Sequence, residues 1–295
     1  VCAVLLFRAV RNDEYTLAET KKLFGDEVEL ILRGLKKVGE FTDRRSTVES
    51  ENYMRLLLSM AEDIRVVFIL IARQLQLMRD AKGSDRSQRL DLSVESTYLY
   101  APLAHRLGLY TIKSELEDLC LKYTDRENYD FIAQKLNETK RSREQYIQEF
   151  IEPVKQRLDR TGLKYDIKGR TKSIHSILNK LKKQKIEFEN IYDLFAIRVI
   201  LDAPADQEKA QCWQVYSIIT DMYQPNPKRL KDWLSIPKSN GYESLHITVM
   251  GPKARWVEVQ IRTKRMDEIA ERGLAAHWKY KGVKEESTLD NWLNS

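Results

Sequence analysis

Apolar residues recur at helical spacing along the first half of the chain. Ile64, Val67, Leu70 and Ile71 follow one stripe, and glycine and proline are scarce from residue 1 to about residue 155. Side chains three and four residues apart lie on one face of an α-helix. The pattern therefore predicts an all-helical first half that is divided into several helices. The predicted breaks fall near Gly25, within residues 41–46, at Gly83 and Ser84, and within residues 125–128.

After Gly162 the pattern changes to short segments in which apolar residues occupy alternate positions. The alternating apolar residues are Phe195, Ile197, Val199 and Leu201, then Leu245, Ile247 and Val249, then Val257, Val259 and Ile261. Alternation of this kind is typical of half-buried β-strands. The second half is therefore predicted to be a sheet with helices, which makes the chain an α+β protein. Its 295 residues are long for one domain, so we expect two.

The polar residues of the three strands should all be presented on the opposite side from the apolar ones. They are Arg198, Ser244, His246, Thr248, Glu258, Gln260 and Arg262. Two interpretations are open at this point. Either the strands bring charged groups together in one site, or they form an antiparallel sheet with one face in solvent.

The charge of the chain favours a polyanionic partner. Fifty Lys and Arg against 44 Asp and Glu give a net charge of +6, and the isoelectric point is near 9.0. The most basic segment, residues 164–185, ends in an amphipathic helix with Ser173 as its predicted N-cap. Arg170 and Lys172 would lie at the start of this helix, where phosphate binds well. A solvated helix face or non-specific RNA binding explains the same charge.

Composition also indicates a compartment. No run of about 18 apolar residues is present, the mean hydropathy is −0.51, and we expect no membrane partner. Cys2, Cys120 and Cys212 are odd in number and form no CxxC pair, which favours reduced thiols and a cytoplasmic location. The chain begins at Val1 inside an apolar run, so we expect it to be part of a longer protein.

Three residues of the second half suggest chemistry, although each has an ordinary alternative. Asp193 and Glu258 are carboxylates that could hold a divalent metal against phosphate oxygens, or that simply pair with Arg198 and Arg262. Tyr242 ends a turn-prone stretch, where its ring either stacks on a base or packs inside the protein.

Several sequence blocks carry a resemblance to a known family. The blocks of the second half are Gly169–Lys172 with Ser176 and Lys180, Tyr192–Ile200, Arg229–Asp232, Pro237–His246, Val257–Thr263 and Ala275–Trp278. In this order they resemble the synthetase domain of the RelA/SpoT family of (p)ppGpp synthetases. Tyr100–Gly108 and Glu115–Leu119 look like the helical region that ends the family's hydrolase domain. The resemblance therefore spans nearly the whole chain.

The resemblance implies a fold, a division into domains and a reaction. A helical HD-type domain over residues 1–125, truncated at its N-terminus, is followed by a helical linker over residues 126–155. Residues 156–295 form the synthetase domain, a nucleotidyltransferase-like mixed β-sheet flanked by helices. In the implied reaction, the 3′-hydroxyl of GDP or GTP attacks the β-phosphorus of ATP, and AMP leaves.

The resemblance also implies roles for individual residues. Glu258 is expected to be the general base, and Asp193 and Glu258 together to bind Mg²⁺, the implied cofactor. ATP is expected to contact Arg170 and Arg198 through adenine, and Lys172, Ser176 and Lys180 through its phosphates. GDP or GTP is expected to contact Tyr242, stacked on guanine, together with Lys231, Lys238, Asn240, His246 and Gln260. His175 and His277 are interpreted as structural.

The hydrolase-like half has lost the residues that the family's reaction needs. That reaction requires a metal cluster of His and Asp, including a His-Asp pair, to activate water. The matching positions hold Phe7, Arg8, Arg11, Asn12, Arg73 and Gln76. None of these supplies an imidazole or a carboxylate, so we expect this half to be inactive as a hydrolase.

The resulting hypothesis is a (p)ppGpp synthetase with a degenerate hydrolase domain. The alternatives are a catalytically silent nucleotide-sensing module and an RNA-binding module. Ribosome or RNA partners are expected only through segments C-terminal to this chain. The loop Arg229–Asp232 is the basic version, whereas an acidic version often accompanies a degenerate hydrolase domain, so the preference for GDP or GTP stays open.

Overall fold

The structure, a computed structural model, describes residues 1–43, 63–191 and 193–273. The chain divides into two compact units, Val1–Ala104 and His105–Ser295. Tyr192, the Ala275–Trp278 block with His277, and the end of the predicted break at residues 41–46 lie outside the described residues. The predicted division into a hydrolase-like domain, a linker and a synthetase domain, with boundaries at residues 125 and 155, stays a prediction.

The first unit is helical, as the periodicity predicts. Its helices are α1 (Cys2–Arg11), α2 (Leu17–Phe24), α3 (Asp26–Asp43), α4 (Ile64–Asp80), α5 (Arg86–Glu95), a π-helical turn (Ser96–Tyr100) and α6 (Ala101–Arg106), which continues into the second unit. The buried side chains Ala3, Val10 and Leu32 join α1 to α3. Asp63 caps α4 by accepting a hydrogen bond from the Arg65 N–H, so the helix begins where the apolar stripe begins.

The second unit combines helices with a sheet. Its helices are α7 (Tyr110–Thr124), α8 (Arg126–Glu138), α9 (Lys140–Asp159), α10 (Ile174–Gln184), α11 (Glu208–Met222) and α12 (Lys264–Arg272). Its strands are β1 (Tyr165–Thr171), β2 (Phe195–Leu201), β3 (Lys231–Asp232), β4 (Leu245–Met250) and β5 (Trp256–Thr263). Ser173 caps α10, as predicted, by accepting a hydrogen bond from the Ser176 N–H.

Within the described ranges, the five strands form one mixed sheet in the order β1-β2-β5-β4-β3. β2 and β5 are parallel neighbours, and the other pairs are antiparallel. The three strands predicted from alternation are confirmed. The strands β1 and β3 were not predicted, and they form the two edges of the sheet.

The two faces of the sheet differ in chemistry. Phe150 and Val154 of α9 and Cys212 and Val215 of α11 pack on the apolar face, which holds the main core. A second cluster joins α10 to α7 and α8 through Leu121, Ile132, Ile177 and Leu178. The polar face of the sheet is therefore the one available for a functional site. No helix in the described part of the chain is both long enough and apolar enough to cross a membrane.

Candidate active site

Strand register places most of the predicted residues on one face of the sheet. One rung across the sheet runs from Lys231 through His246 and Gln260 to Arg198. Paired residues point to the same side, as do residues two positions apart along a strand. The neighbouring rung therefore shares this face; it contains Thr248, Glu258, Ala196 and Arg170. The sequence prediction of a shared polar face is confirmed.

This face is largely withdrawn from solvent, so the alternative of a solvated antiparallel sheet is wrong. Arg198 is 4% exposed, His246 9%, Thr248 7% and Arg262 1%. Buried polar groups of this kind need partners, because an unpaired one costs free energy comparable to a lost hydrogen bond. Arg198 and Arg262 pair with acids, and His246 contacts Tyr242 and Glu258. These contacts belong to three clusters of side chains.

The first cluster joins the two predicted metal ligands to the predicted phosphate-binding lysines. Lys172 Nζ lies 2.5 Å from Asp193 Oδ2 and 3.7 Å from Glu258 Oε2. Lys180 Nζ also contacts Asp193, through Oδ1. The two carboxylates thus pair with lysines, and the pairing with Arg198 and Arg262 considered from the sequence is wrong. Burial lowers the pKa of Lys172, although Glu258 opposes this shift.

The start of α10 is occupied by a carboxylate of the protein itself. Asp118 of α7 accepts hydrogen bonds from the N–H groups of Ile174 and His175, at 3.3 and 2.8 Å. The free N–H groups and the dipole of a helix N-terminus attract an anion. In α10 the Asp118 carboxylate is that anion. Ser176 is exposed on the same turn, and its hydroxyl accepts a hydrogen bond from Ser173. The first N–H groups of α10 are thus already engaged by Asp118, so of the predicted phosphate contacts the lysines Lys172 and Lys180 do not depend on this helix start.

The second cluster is an aromatic group around Lys238. The Lys238 Nζ lies 4.1 Å from the Trp233 ring centroid, 5.0 Å from that of Tyr242 and 5.9 Å from that of Tyr110. Asn240 donates to the Tyr110 hydroxyl at 2.8 Å and accepts from the Tyr242 N–H at 3.2 Å. Burial, followed by the charge of Lys231, lowers the pKa of Lys238. Tyr242 is 8% exposed, so its ring is already packed among other rings.

His246 connects this aromatic cluster to Glu258. Its Nε2 lies 2.9 Å from the Tyr242 hydroxyl, and its Nδ1 lies 3.6 Å from Glu258 Oε1. Burial, assisted by the charges of Lys231 and Arg262, lowers the pKa of His246 to about 3. The imidazole is therefore neutral at neutral pH and forms no ion pair with Glu258. Gln260 donates to the same Glu258 Oε1 at 2.8 Å.

The third cluster is a pair of buried arginines held by two acids of α12. Arg198 Nη1 lies 2.8 Å from Glu271 and 3.4 Å from Asp267. Arg262 Nη2 lies 2.6 Å from Asp267. Asp267 and Glu271 are one helical turn apart and so face the same arginines. Arg170 is exposed and is a diagonal neighbour of Arg198 across β1 and β2.

An ion-pair network fixes the segment that carries Asn240 and Tyr242. Arg265 donates to both carboxylate oxygens of Glu243, at 3.0 and 2.9 Å. It also donates to Glu208 of α11 at 2.8 Å, and Glu208 in turn accepts from Thr263 at 2.6 Å. Bidentate pairs of this kind hold their partners in a defined geometry.

Sequence reasoning missed several residues that shape these clusters. They are Tyr110, Thr111, Asp118, Glu208, Trp233, Glu243, Arg265, Asp267 and Glu271. The spacing of Asp267 and Glu271 was an available signal, because acids one turn apart on a helix present one charged surface. Trp233 directly follows a basic motif. For Tyr110 and Asp118 no local signal exists, since their contacts join positions far apart in the sequence.

The geometry also tests whether a divalent metal fits. Among the described residues no three His, Cys, Asp or Glu side chains come together as a ready metal site. Asp193 and Glu258 do provide two hard carboxylates that meet at one cation, the Lys172 ammonium. Mg²⁺ is commonly held by one or two carboxylates together with substrate phosphates and water. The two side chains therefore fit such an ion if Lys172 changes partner.

Comparison with known proteins gives two family matches. Residues 169–285 match a family described as "Region found in RelA / SpoT proteins". Residues 1–110 match the family described as "HD domain". The match to the first family covers all three clusters of the polar face except the residues contributed by α7.

Individual relatives match along nearly the whole chain. A GTP pyrophosphokinase of Myxococcus xanthus is 38% identical over 297 residues, covering 98% of this chain and 39% of the relative. A guanosine-3′,5′-bis(diphosphate) 3′-pyrophosphohydrolase of Aquifex aeolicus is 35% identical, covering 99% and 42%. The bifunctional (p)ppGpp synthase/hydrolase SpoT of Escherichia coli is also 35% identical, covering 99% and 42%. The chain thus spans less than half the length of these relatives.

Proposed function

The chain belongs to the RelA/SpoT family, and on that premise we propose that it transfers pyrophosphate from ATP to the 3′-hydroxyl of GDP or GTP. The observation that carries the proposal is the position of Glu258. One of its oxygens lies 3.7 Å from Lys172, and the other accepts from Gln260 at 2.8 Å. Glu258 therefore stands between the lysine cluster and the aromatic cluster, where a donor and an acceptor would meet.

In the proposed reaction, the 3′-oxygen of GDP or GTP attacks the β-phosphorus of ATP. Glu258 accepts the proton that this 3′-hydroxyl loses. A bond forms between the 3′-oxygen and that phosphorus. The bond from the β-phosphorus to the oxygen shared with the α-phosphate breaks, and AMP leaves with that oxygen. Lys172 and Lys180 would exchange Asp193 for the phosphates of ATP, since phosphoryl-type transfer depends mainly on positioning and charge neutralisation.

We assign Mg²⁺ to Asp193 and Glu258 within this proposal. The ion would supply charge neutralisation at the transferring group. When Lys172 and Lys180 move to the phosphates, the two carboxylates lose their cation partners. Binding of ATP therefore favours binding of the metal by these carboxylates. Mg²⁺ alone and ATP alone should each bind more weakly than Mg²⁺ and ATP added together.

The remaining residues divide between the two nucleotides. Arg170, Arg198, Lys172, Ser176 and Lys180 are assigned to ATP, and Lys231, Lys238, Asn240, Tyr242, His246 and Gln260 to GDP or GTP. Arg170 is already exposed for stacking on adenine, whereas Arg198 must leave Asp267 and Glu271 to present its face. Guanine would enter the aromatic cluster by displacing the Lys238 ammonium from the rings.

The buried thiol of Cys212 favours a cytoplasmic location for this activity. Cys212 forms no disulfide in the structure, and a reduced buried thiol is typical of a reducing compartment. Burial raises the pKa of Cys212 to about 12, so this thiol is inert.

The experiment that tests the function follows label from γ-labelled ATP in the presence of GDP. Appearance of the label in a guanine nucleotide that carries a 3′-pyrophosphate is the expected result. Binding of both nucleotides without transfer would instead support the nucleotide-sensing alternative. Binding of RNA but of neither nucleotide would support the RNA-binding alternative.

We further propose that the first unit is inactive as a hydrolase, although several relatives carry hydrolase names. Phe7 and Arg73 belong to the two segments that lack the expected ligands, and they meet in the structure. The Arg73 guanidinium carbon lies 6.0 Å from the Phe7 ring centroid. An arginine stacked on an apolar ring repels a divalent cation where the family's reaction needs one.

A further inference from the structure

One tyrosine from outside the RelA/SpoT match contacts three residues of the aromatic cluster. The hydroxyl of Tyr110 accepts the Asn240 hydrogen bond at 2.8 Å. Its ring packs edge to face against Tyr242, with centroids 5.6 Å apart and an interplanar angle of 80°. Lys238 Nζ lies 5.9 Å from its centroid. Tyr110 thus contacts three motif residues, Lys238, Asn240 and Tyr242, that we assign to the acceptor nucleotide.

These contacts fix how Asn240 can meet a ligand. Its amide nitrogen donates to Tyr110, and its oxygen accepts from the Tyr242 N–H at 3.2 Å. With both ends held, one N–H and one lone pair of the amide stay available in a defined direction. Asn240 is 8% exposed, so an amide that lost one of these partners would be left with a buried group unpaired.

The residue after Tyr110 anchors the same helical turn. Thr111 donates to Glu271 at 2.7 Å, and Glu271 holds Arg198 at 2.8 Å. Just before α7, Gly108 approaches Gly273 so closely that a side-chain carbon on Gly108 would lie 3.1 Å from the Gly273 Cα. The position of Tyr110 is therefore set by α12 on one side and by Asn240 on the other.

We propose that Tyr110 is a positioning residue for the acceptor nucleotide, which acts by orienting Asn240 and supporting the Tyr242 ring. This proposal rests on the proposed function, because the acceptor is assigned to this cluster there. It predicts that loss of the Tyr110 hydroxyl affects the acceptor and leaves the donor alone. A merely structural tyrosine would change both together.

The test compares Tyr110→Phe with the wild-type chain in pyrophosphate transfer from ATP to GDP. The phenylalanine keeps the ring and removes only the hydroxyl that Asn240 uses. The KM for GDP should rise about 3- to 10-fold, the range expected for one lost hydrogen bond. The KM for ATP should stay within about twofold and kcat should change little, because Glu258 and Lys172 keep their contacts. Tyr110→Ala should raise the KM for GDP further.

Tyr129→Phe on α8 is the matched control, because it makes the same change in a half-buried tyrosine that touches none of the three clusters. It should leave both KM values unchanged.

The outcomes separate the inference from the function. An active wild type with an unchanged KM for GDP in Tyr110→Phe overturns the inference and leaves the function standing. Equal rises in both KM values, with a lower thermal midpoint, also overturn it, because they indicate general loosening. A wild-type chain that transfers no pyrophosphate overturns the function, and the inference with it.

Discussion

At the scale of single residues, Glu258 is the side chain on which most depends. It touches Lys172 on one side and Gln260 on the other, so it belongs to both halves of the proposed site. A carboxylate can accept a proton and bind a metal, whereas an amide of the same shape does neither well. The charge of this residue should therefore matter more than its size.

Glu258→Gln should reduce pyrophosphate transfer by about 10²- to 10⁴-fold, the usual loss when a general base is removed. The fold should persist, because glutamine retains the oxygen that accepts from Gln260. Turnover measured beside the unfolding midpoint of each protein checks both expectations. Transfer at a rate close to that of the wild type would show that Glu258 is not the base.

His246 gives a prediction for stability rather than for rate. Its pKa is about 3 in the folded protein, against about 6.5 in an unfolded chain. Between these values the unfolded chain binds a proton that the folded protein does not, so acid favours unfolding. This group adds stability fully above pH 6.5, and the contribution decreases as pH falls.

The free energy of unfolding in urea should therefore decrease from pH 7 to pH 6 and pH 5. In His246→Asn this decrease should be smaller, by at most about 1.4 kcal/mol per pH unit. Comparison with the variant removes the effect of the other titrating groups. Identical slopes for the two proteins would mean that folding does not lower the pKa of His246.

At the scale of elements, α10 depends on α7 for its first turn. Asp118→Ala removes the carboxylate that accepts from Ile174 and His175, and leaves two N–H groups without that partner. The free energy of unfolding should fall by about 0.5–2 kcal/mol, as for loss of a helix cap.

The matched control is Asp130→Ala on α8, which removes an exposed pair with Arg126. It should cost less than about 0.5 kcal/mol. Equal effects of the two substitutions in urea unfolding would show that Asp118 acts as an ordinary surface charge and not as a cap.

The position of a strand in the sheet determines how well its sequence predicts it. β4 and β5 alternate because their apolar sides enter the main core, whereas β2 is apolar at all positions but Arg198 because every one of its residues is buried. β1 is an edge strand, and its residues from Lys168 to Thr171 are exposed, so its sequence Tyr-Asp-Ile-Lys-Gly-Arg-Thr shows little alternation. β3 is a pair of residues and is too short to carry a pattern.

The candidate site divides in the same way. Residues such as Glu258 and His246 could be predicted because they lie in motifs on strands whose register follows from the pattern. Tyr110 and Asp118 could not be, because α7 is distant in the sequence from the loop and the helix that it contacts. Contacts of that range come from tertiary packing and leave no periodic signal.

At the scale of the whole molecule, the helices α7 to α9 contribute to the folding of the sheet unit. Leu121 and Ile132 close over Ile177 and Leu178 of α10, and Phe150 of α9 lies in the main core. A fragment over residues 156–295 lacks all three helices except the end of α9. It should unfold without cooperativity, whereas residues 105–295 should unfold in one transition, as judged by circular dichroism in urea. A cooperative transition of residues 156–295 with an unchanged midpoint would contradict this.

The hydrolase-like unit also gives a prediction for activity. ppGpp incubated with the chain and excess Mn²⁺ should release no pyrophosphate, because Phe7, Arg8 and Arg73 supply no metal ligand. Release above the rate of a buffer control would show that other side chains form a metal site.

The parallel pair of β2 and β5 has a consequence for how the protein is made. Every residue of β2 is buried, and its partner β5 follows only after α11, β3 and β4 have been synthesised. During translation, the apolar strand Phe195–Leu201 therefore leaves the ribosome with one side of its backbone unpaired. Non-local strand pairing of this kind is slow and leaves an edge open to aggregation. Nascent chains that stop before Trp256 should be the most dependent on chaperones, and release of Thr263 should end that dependence.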